Sequence, residues 1–183
     1  CMNEGQMGWG KSRLVVQEDV YDEVGEERAT MAEGMPIGGG IGDDGQRGPV
    51  VNEEQVEEVL EYIEIGRDEG ATVAAGGGVP NEKDVGYFVE PTVLADVTND
   101  MTVAREESFG PVLSVIEVED EAEAIEVANK SPFGLTSCVW TNDLSRAHRV
   151  ADRLDYGMVM VNETPNTWPQ TPFGGTKMSG HGR

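Results

Sequence analysis

Positive charge is what this sequence has least of. Its 183 residues include 35 acids against 13 bases, only four of them lysine, for a formal net charge of −22. That deficit excludes nucleic acid and anionic membrane surfaces as partners, since both require a basic footprint. No apolar run approaches the roughly 20 residues that span a bilayer. The opening Cys1-Met2-Asn3-Glu4-Gly5-Gln6 has neither a basic start nor an apolar core, so it does not read as a signal peptide, and the expected compartment is the cytoplasm. Cysteine is nearly absent: Cys1 and Cys138 are too few for a disulfide scaffold. With His148 and His181 they are too scattered for a zinc site, so no metal is expected. There is no G-x-S-x-G nucleophile elbow and no P-loop.

What is present reads as a folded domain. Apolar residues make up 38% of the chain, and Val, Ile and Leu are spread along it, which argues against wholesale disorder. The acids lie along almost every expected helix surface. At −22 such a surface repels itself in dilute buffer and is relieved by salt, so the composition reads as adaptation to high salt, the alternative being an acidic surface that serves solubility only.

Short apolar strands alternate with amphipathic helices. Arg13–Val16 reads as a strand, followed by a weak helix over Val20–Met35 and a loop over Pro36–Pro49. Asn52 opens the best helix, with Gln55 in the capping-box position and Val56, Val59, Leu60 and Ile63 on one face. Strands are expected at Thr72–Ala75, Tyr87–Leu94 and Val112–Val118. A helix capped by Asp120 and running to Asn129 follows, with Glu123 as its box partner. Ser137–Thr141 is a strand, Leu144, Ala147, Ala151 and Leu154 mark a helix face, and Met158–Asn162 is a strand again. The β-α-β-α-β order from Val112 to Asn162 predicts an α/β fold, a mostly parallel open sheet with crossover helices, in one domain over residues 1–183.

Gly40-Ile41-Gly42-Asp43-Asp44-Gly45 fits G-x-G-x-x-G but reads as loop. A dinucleotide fingerprint leaves a strand and opens a helix, whereas this one follows a helix and holds two acids that would repel a pyrophosphate. The same two acids match no calcium-loop spacing.

Six segments together are far more specific. They are Asn3-Glu4-Gly5-Gln6 leading to Ser12-Arg13, Gly86 to Thr92, Glu106-Glu107-Ser108-Phe109-Gly110-Pro111, Pro132-Phe133-Gly134-Leu135, Gly157 to Asn162, and Pro172 to Gly180. In order and spacing the chain resembles the C-terminal catalytic domain of the NAD(P)-dependent aldehyde dehydrogenases over essentially its whole length. The resemblance implies that family's reaction, in which a cysteine in N-x-G-Q-x-C attacks the aldehyde, hydride passes to the nicotinamide, and water hydrolyses the thioester. Here the nucleophile position is Gly8, which has no side chain, so the chain is expected to be inactive as it stands. Cys1 lies seven residues earlier, where a different backbone path would be needed to use it.

By the same resemblance, NAD or NADP is the cofactor, with Glu107 accepting hydrogen bonds from the nicotinamide ribose, Phe109 packing beside it, and Gln55 reaching the ribose as well. Phe173 would line the substrate tunnel, and Trp168 near it would favour bulky or aromatic aldehydes. Trp9 and Lys11 stand where the family has small residues. The resemblance also places the family's glutamate base, oxyanion-hole asparagine and cofactor domain before Cys1, and its oligomerisation segment after Arg183. The family forms homo-oligomers; this chain reads as a fragment truncated at both ends. The alternatives are a non-catalytic interaction module or remnant, or one part of a split enzyme.

Overall fold

The computed structural model describes residues 2–39, 45, 47–81, 86–163 and 167–182. β1 (Arg13–Gln17) leads through a short turn into α1 (Tyr21–Glu33). After the loop come α2 (Glu53–Glu69), β2 (Thr72–Ala75), β3 (Thr92–Ala95), the single turn α3 (Thr102–Arg105) and β4 (Val112–Val118). The second half contains α4 (Glu121–Asn129), β5 (Phe133–Gly134), β6 (Thr136–Val139), α5 (Leu144–Arg153), β7 (Met158–Val161) and β8 (Thr176–Lys177).

β4 runs parallel to both β1 and β3, and β2 closes one edge antiparallel, giving the order β1-β4-β3-β2. β6 and β7 form a separate parallel pair, and β5 and β8 an antiparallel one. The fold is α/β with mostly parallel strands, as expected. The strands after Val112 do alternate with helices, but β4 belongs to the four-stranded sheet while β6 and β7 pair with each other.

Strand alternation sends successive side chains to opposite faces. Leu94, Val112 and Ile116 meet Val59 and Ile63 of α2 on one face, while Val93 and Val115 meet Val16 and Ala32 of α1 on the other. Val59 and Ile63 are wholly buried, each a contribution of about 1.5–3 kcal/mol. Among the described residues no helix is long and apolar enough to cross a membrane, and no three His, Cys, Asp or Glu side chains converge as metal ligands would.

Several local expectations change. Asn52 caps α2 by accepting from the Gln55 backbone N–H at 2.8 Å, but the Gln55 side chain does not close the box; it donates to the Ser108 carbonyl at 3.0 Å. Only Thr92–Ala95 of the expected Tyr87–Leu94 strand is in the sheet, because Pro91 has no N–H to give the ladder and the residues before it bond to loops, Glu90 to Gly78 and Val50 to Tyr87. β6 starts one residue earlier than expected and ends at Val139, where the Asn162 side chain takes over as partner of Thr141. On α5 the buried residues are Ala147 and Val150, while Leu144 in the first turn is 73% exposed. Glu123 does fold back at the start of α4, but onto the Glu119 N–H, one residue before the Asp120 cap. The Gly40–Asp44 stretch and Cys1 lie outside the described residues.

Charge is concentrated on the helices. α2 carries eight acids and one base, Arg67, which pairs with Glu64. Repulsion of this kind acts over a Debye length, about 10 Å at 0.1 M salt, and is screened away at molar salt. The thermal midpoint, followed by circular dichroism, should therefore rise between tens of millimolar and molar KCl, by about 2–4 °C for each kcal/mol of repulsion relieved. A midpoint that is flat or falls would show that the acidity serves solubility alone.

Candidate functional site

The segment before β1 is an unusual turn. Asn3 (φ 49°) and Glu4 (φ 58°) are both left-handed, and Gly5 (φ 75°) continues the path. For side-chain-bearing residues each such step costs about 1–2 kcal/mol, so the neighbours must hold the turn in place. Three contacts do so. The Glu4 carboxylate accepts from the Gly48 N–H at 2.9 Å and lies 2.7 Å from Nη2 of Arg47, a pair buried to 6% and 8% side-chain exposure. The Gln6 side-chain carbonyl accepts from the Val51 N–H at 2.9 Å. Gly5 presses so closely on Gly110 that a Cβ there would sit 2.0 Å from the Gly110 carbonyl oxygen. The turn is thus clamped between residues 47–51 and the Ser108–Pro111 segment.

Gly8 stands exposed just beyond this clamp. Its backbone is not left-handed, and a Cβ on it would meet only Leu135 Cδ2 at 3.7 Å, an ordinary contact. A side chain would fit; none is there.

Beside the turn lies an open cleft of about 490 Å³ lined by Asn3, Gln6, Val51, Gln55 and Phe109. The hydrogen bond from Gln55 to Ser108 ties α2 to this rim. Phe109 is left-handed (φ 43°) and 40% exposed, which leaves its ring on the cleft instead of in the core. Glu107, two residues before it, is exposed and has no hydrogen bond or ion pair among the described residues, while partial desolvation holds its carboxyl above the usual range. An unpaired carboxylate next to an aromatic face is a suitable acceptor for a vicinal diol with a ring to stack, so these residues fit a nicotinamide ribose. The structure therefore brings Gln55 and Phe109 together on one cleft, with Glu107 on the adjoining chain.

The two expected substrate residues are placed differently. Phe173 is 48% exposed and meets Trp9 edge-on, with ring centroids 5.9 Å apart and planes at 76°. Trp168 is 51% exposed and sits at the head of a turn closed by Thr171 onto its carbonyl. The aromatic contact at the site is thus Trp9 with Phe173, and Trp168 forms a separate turn.

Three features of the site were not legible as such. One is the Glu4–Arg47 pair, for which a lone arginine in a loop gives no periodic signal. Another is the Trp9–Phe173 contact. The third is a cluster on β6: Lys11 donates to the Thr136 hydroxyl and faces the Cys138 thiol, and burial pushes the Lys11 amine down to about 8. Burial also raises the Cys138 thiol, an effect that Lys11 opposes.

Comparison with known proteins places this geometry. The model of the aldehyde dehydrogenase family matches residues 1–183. A betaine aldehyde dehydrogenase of Rhizobium etli is 51% identical over 181 residues, covering 98% of this chain and 37% of that protein. One of Agrobacterium fabrum is 45% identical over 183 residues, covering 99% and 37%. The NAD+ complex of an aldehyde dehydrogenase from Bacillus cereus superimposes with a TM-score of 0.96 at 43% identity, covering 100% of this chain and 37% of that one. That of the Mycobacterium tuberculosis aldehyde dehydrogenase complexed with NAD+ does so with a TM-score of 0.96 at 39% identity, covering 100% and 38%. The chain therefore spans about 37% of the length of the curated relatives it matches.

Proposed function

This chain belongs to the aldehyde dehydrogenase family, and we propose that it forms the aldehyde-facing and ribose-facing walls of such a site, as one unit over residues 1–183, without the family's covalent chemistry. Gly8 carries this proposal: it occupies the nucleophile position of N-x-G-Q-x-C, on a turn still clamped as a presenting turn would be, and has no thiol to add to a carbonyl.

In this role Glu107 accepts from the ribose hydroxyls of NAD or NADP, Phe109 packs against the nicotinamide end, and Gln55 holds the rim through Ser108. The bound cofactor is the hydride acceptor of the family's reaction. Phe173, braced by Trp9, gives the aldehyde side its aromatic character. Aromatic faces attract a quaternary ammonium group as well as an aryl ring, which accords with the betaine aldehyde in the relatives' names. The acidic surface fits a protein working at high salt.

The test is to restore the missing atom. Gly8→Cys should fold as the parent does, because the added side chain meets only ordinary contacts. Its new thiol should be alkylated by iodoacetamide faster than Cys138, which is half-buried and has a raised pKa. Peptide mapping separates the thiols. A thiol at position 8 that reacts no faster than Cys138 would mean that the turn does not present this position.

A further inference from the structure

We propose that Lys11 is an aldehyde-capturing amine, which binds a small aldehyde covalently and reversibly as an imine at the β6 edge of the site. This rests on the aldehyde reading above for the class of ligand, and on the geometry around Lys11 for the site itself.

The amine is anchored. The Thr136 hydroxyl donates to the Trp9 carbonyl at 3.2 Å, which leaves its oxygen as acceptor toward Lys11 Nζ. Thr136 and Cys138 are alternate residues of β6, so both side chains lie on the face that meets Lys11. No carboxylate pairs with this lysine among the described residues, although the chain has 35 acids. Lys130 and Lys177, in contrast, pair with Glu126 and Asp155. Desolvation outweighs the opposing pull of the Cys138 thiol, so at about 8 roughly a tenth of Lys11 is the neutral nucleophile at pH 7 and about half at pH 8. The titratable groups facing it are Cys138 and, beyond that thiol, Glu163. Lys11 follows Gly8 by three residues and is next but one to Trp9, whose ring meets Phe173, so the amine sits on the segment that supplies one ring of that aromatic pair.

The chemistry balances without an oxidant. The neutral amine adds to the aldehyde carbon, forming the C–N bond as the C=O π bond breaks, and the proton lost by the nitrogen is taken up at the oxygen to give a carbinolamine. Loss of water then leaves the C=N bond. Hydrolysis reverses it, so the protein would hold aldehyde without transforming it.

The experiment is reductive trapping. The chain is incubated with benzaldehyde and cyanoborohydride over a pH series, and benzylated lysines are quantified by peptide mass spectrometry. Lys11 should be labelled about tenfold or more faster than Lys130 at about pH 8, where a group titrating near 8 is half neutral and an ordinary lysine is under one hundredth neutral. The Lys11 labelling rate should climb through about pH 8 and level off, and Lys11→Arg should remove that label alone. o-Phthalaldehyde, which forms a fluorescent isoindole where an amine meets a thiol, should give a signal lost in both Lys11→Arg and Cys138→Ser. Equal labelling of Lys11 and Lys130 by both benzaldehyde and acetic anhydride would overturn the proposal, since the amine would not be special. Fast acetylation of Lys11 without benzaldehyde trapping would overturn the aldehyde reading instead.

Discussion

Incubated with NAD+ or NADP+ and any aldehyde, aromatic ones included, the purified chain should form no reduced cofactor above a heat-killed control. The expected effect is very large, because removing a nucleophile abolishes the covalent route outright; in a serine protease the same removal costs about 10⁶ in rate. Gly8 has no atom that can form the thiohemiacetal. Cys138 does not substitute for it: the thiol is half-buried on β6, lies against Lys11, and burial favours its neutral, unreactive form. Imine formation at Lys11 moves no hydride to the cofactor, so the capture proposed above is silent in this assay. Cofactor reduction by the unaltered chain, dependent on aldehyde and absent from the control, would overturn the assignment of Gly8 as the lost nucleophile.

Where the sequence was legible, local physics was sufficient. α2 has a four-residue apolar face at helical spacing and an asparagine that can only be satisfied by a free N–H, so its start and buried side were readable. β4 is an apolar run broken only by Ser114 and Glu117, between a proline and an acidic cap, and its bounds matched. Errors arose where a side chain had a distant alternative. Gln55 is a fair capping partner by spacing, yet Ser108 lies within reach once the chain folds, and the helix needs only the Asn52 half of the box. The Tyr87 strand failed because periodicity ignores the missing N–H of Pro91. On α5 the first-turn Leu144 fits the helical spacing but stays 73% exposed. The site divides in the same way. Motif spacing marked Gly8, Glu107 and Phe109, but the clamp on them joins residues whose separation no local pattern encodes. Glu4 and Gly48, for example, are 44 positions apart.

The clamp itself should be fragile in a specific manner. Arg47→Met is expected to destabilise the chain by about 3–5 kcal/mol, the range for removing one partner of a buried ion pair. The loss falls on what remains. Glu4 keeps the Gly48 N–H at 2.9 Å, but its other oxygen is left charged and buried beside no cation. It also sits in a left-handed conformation that these contacts must hold. Burial lowers the Arg47 pKa and Glu4 raises it, so the pair is already a compromise. Arg47 Nε is buried with no hydrogen-bond partner among the described residues, and Nη2 has the ion-pair distance without a well-aligned hydrogen bond. A pair so incompletely satisfied contributes little net stability as a pair, although breaking it is expensive. The double replacement Glu4→Gln with Arg47→Met should therefore recover most of the loss, since a neutral amide can keep the Gly48 bond with no buried charge left over. Urea unfolding of the parent, the two single variants and the double closes this cycle, and non-additivity is the expected signature. If Arg47→Met falls within about 0.5 kcal/mol of the parent, the pair is solvated in solution and the turn is held by the Gln6–Val51 hydrogen bond and the Gly5–Gly110 contact. Iodoacetamide reactivity of Gly8→Cys then separates stability from presentation: with the clamp broken by Arg47→Met, the introduced thiol should lose its advantage over Cys138 even in the fraction that remains folded, because the left-handed turn no longer fixes where residue 8 points.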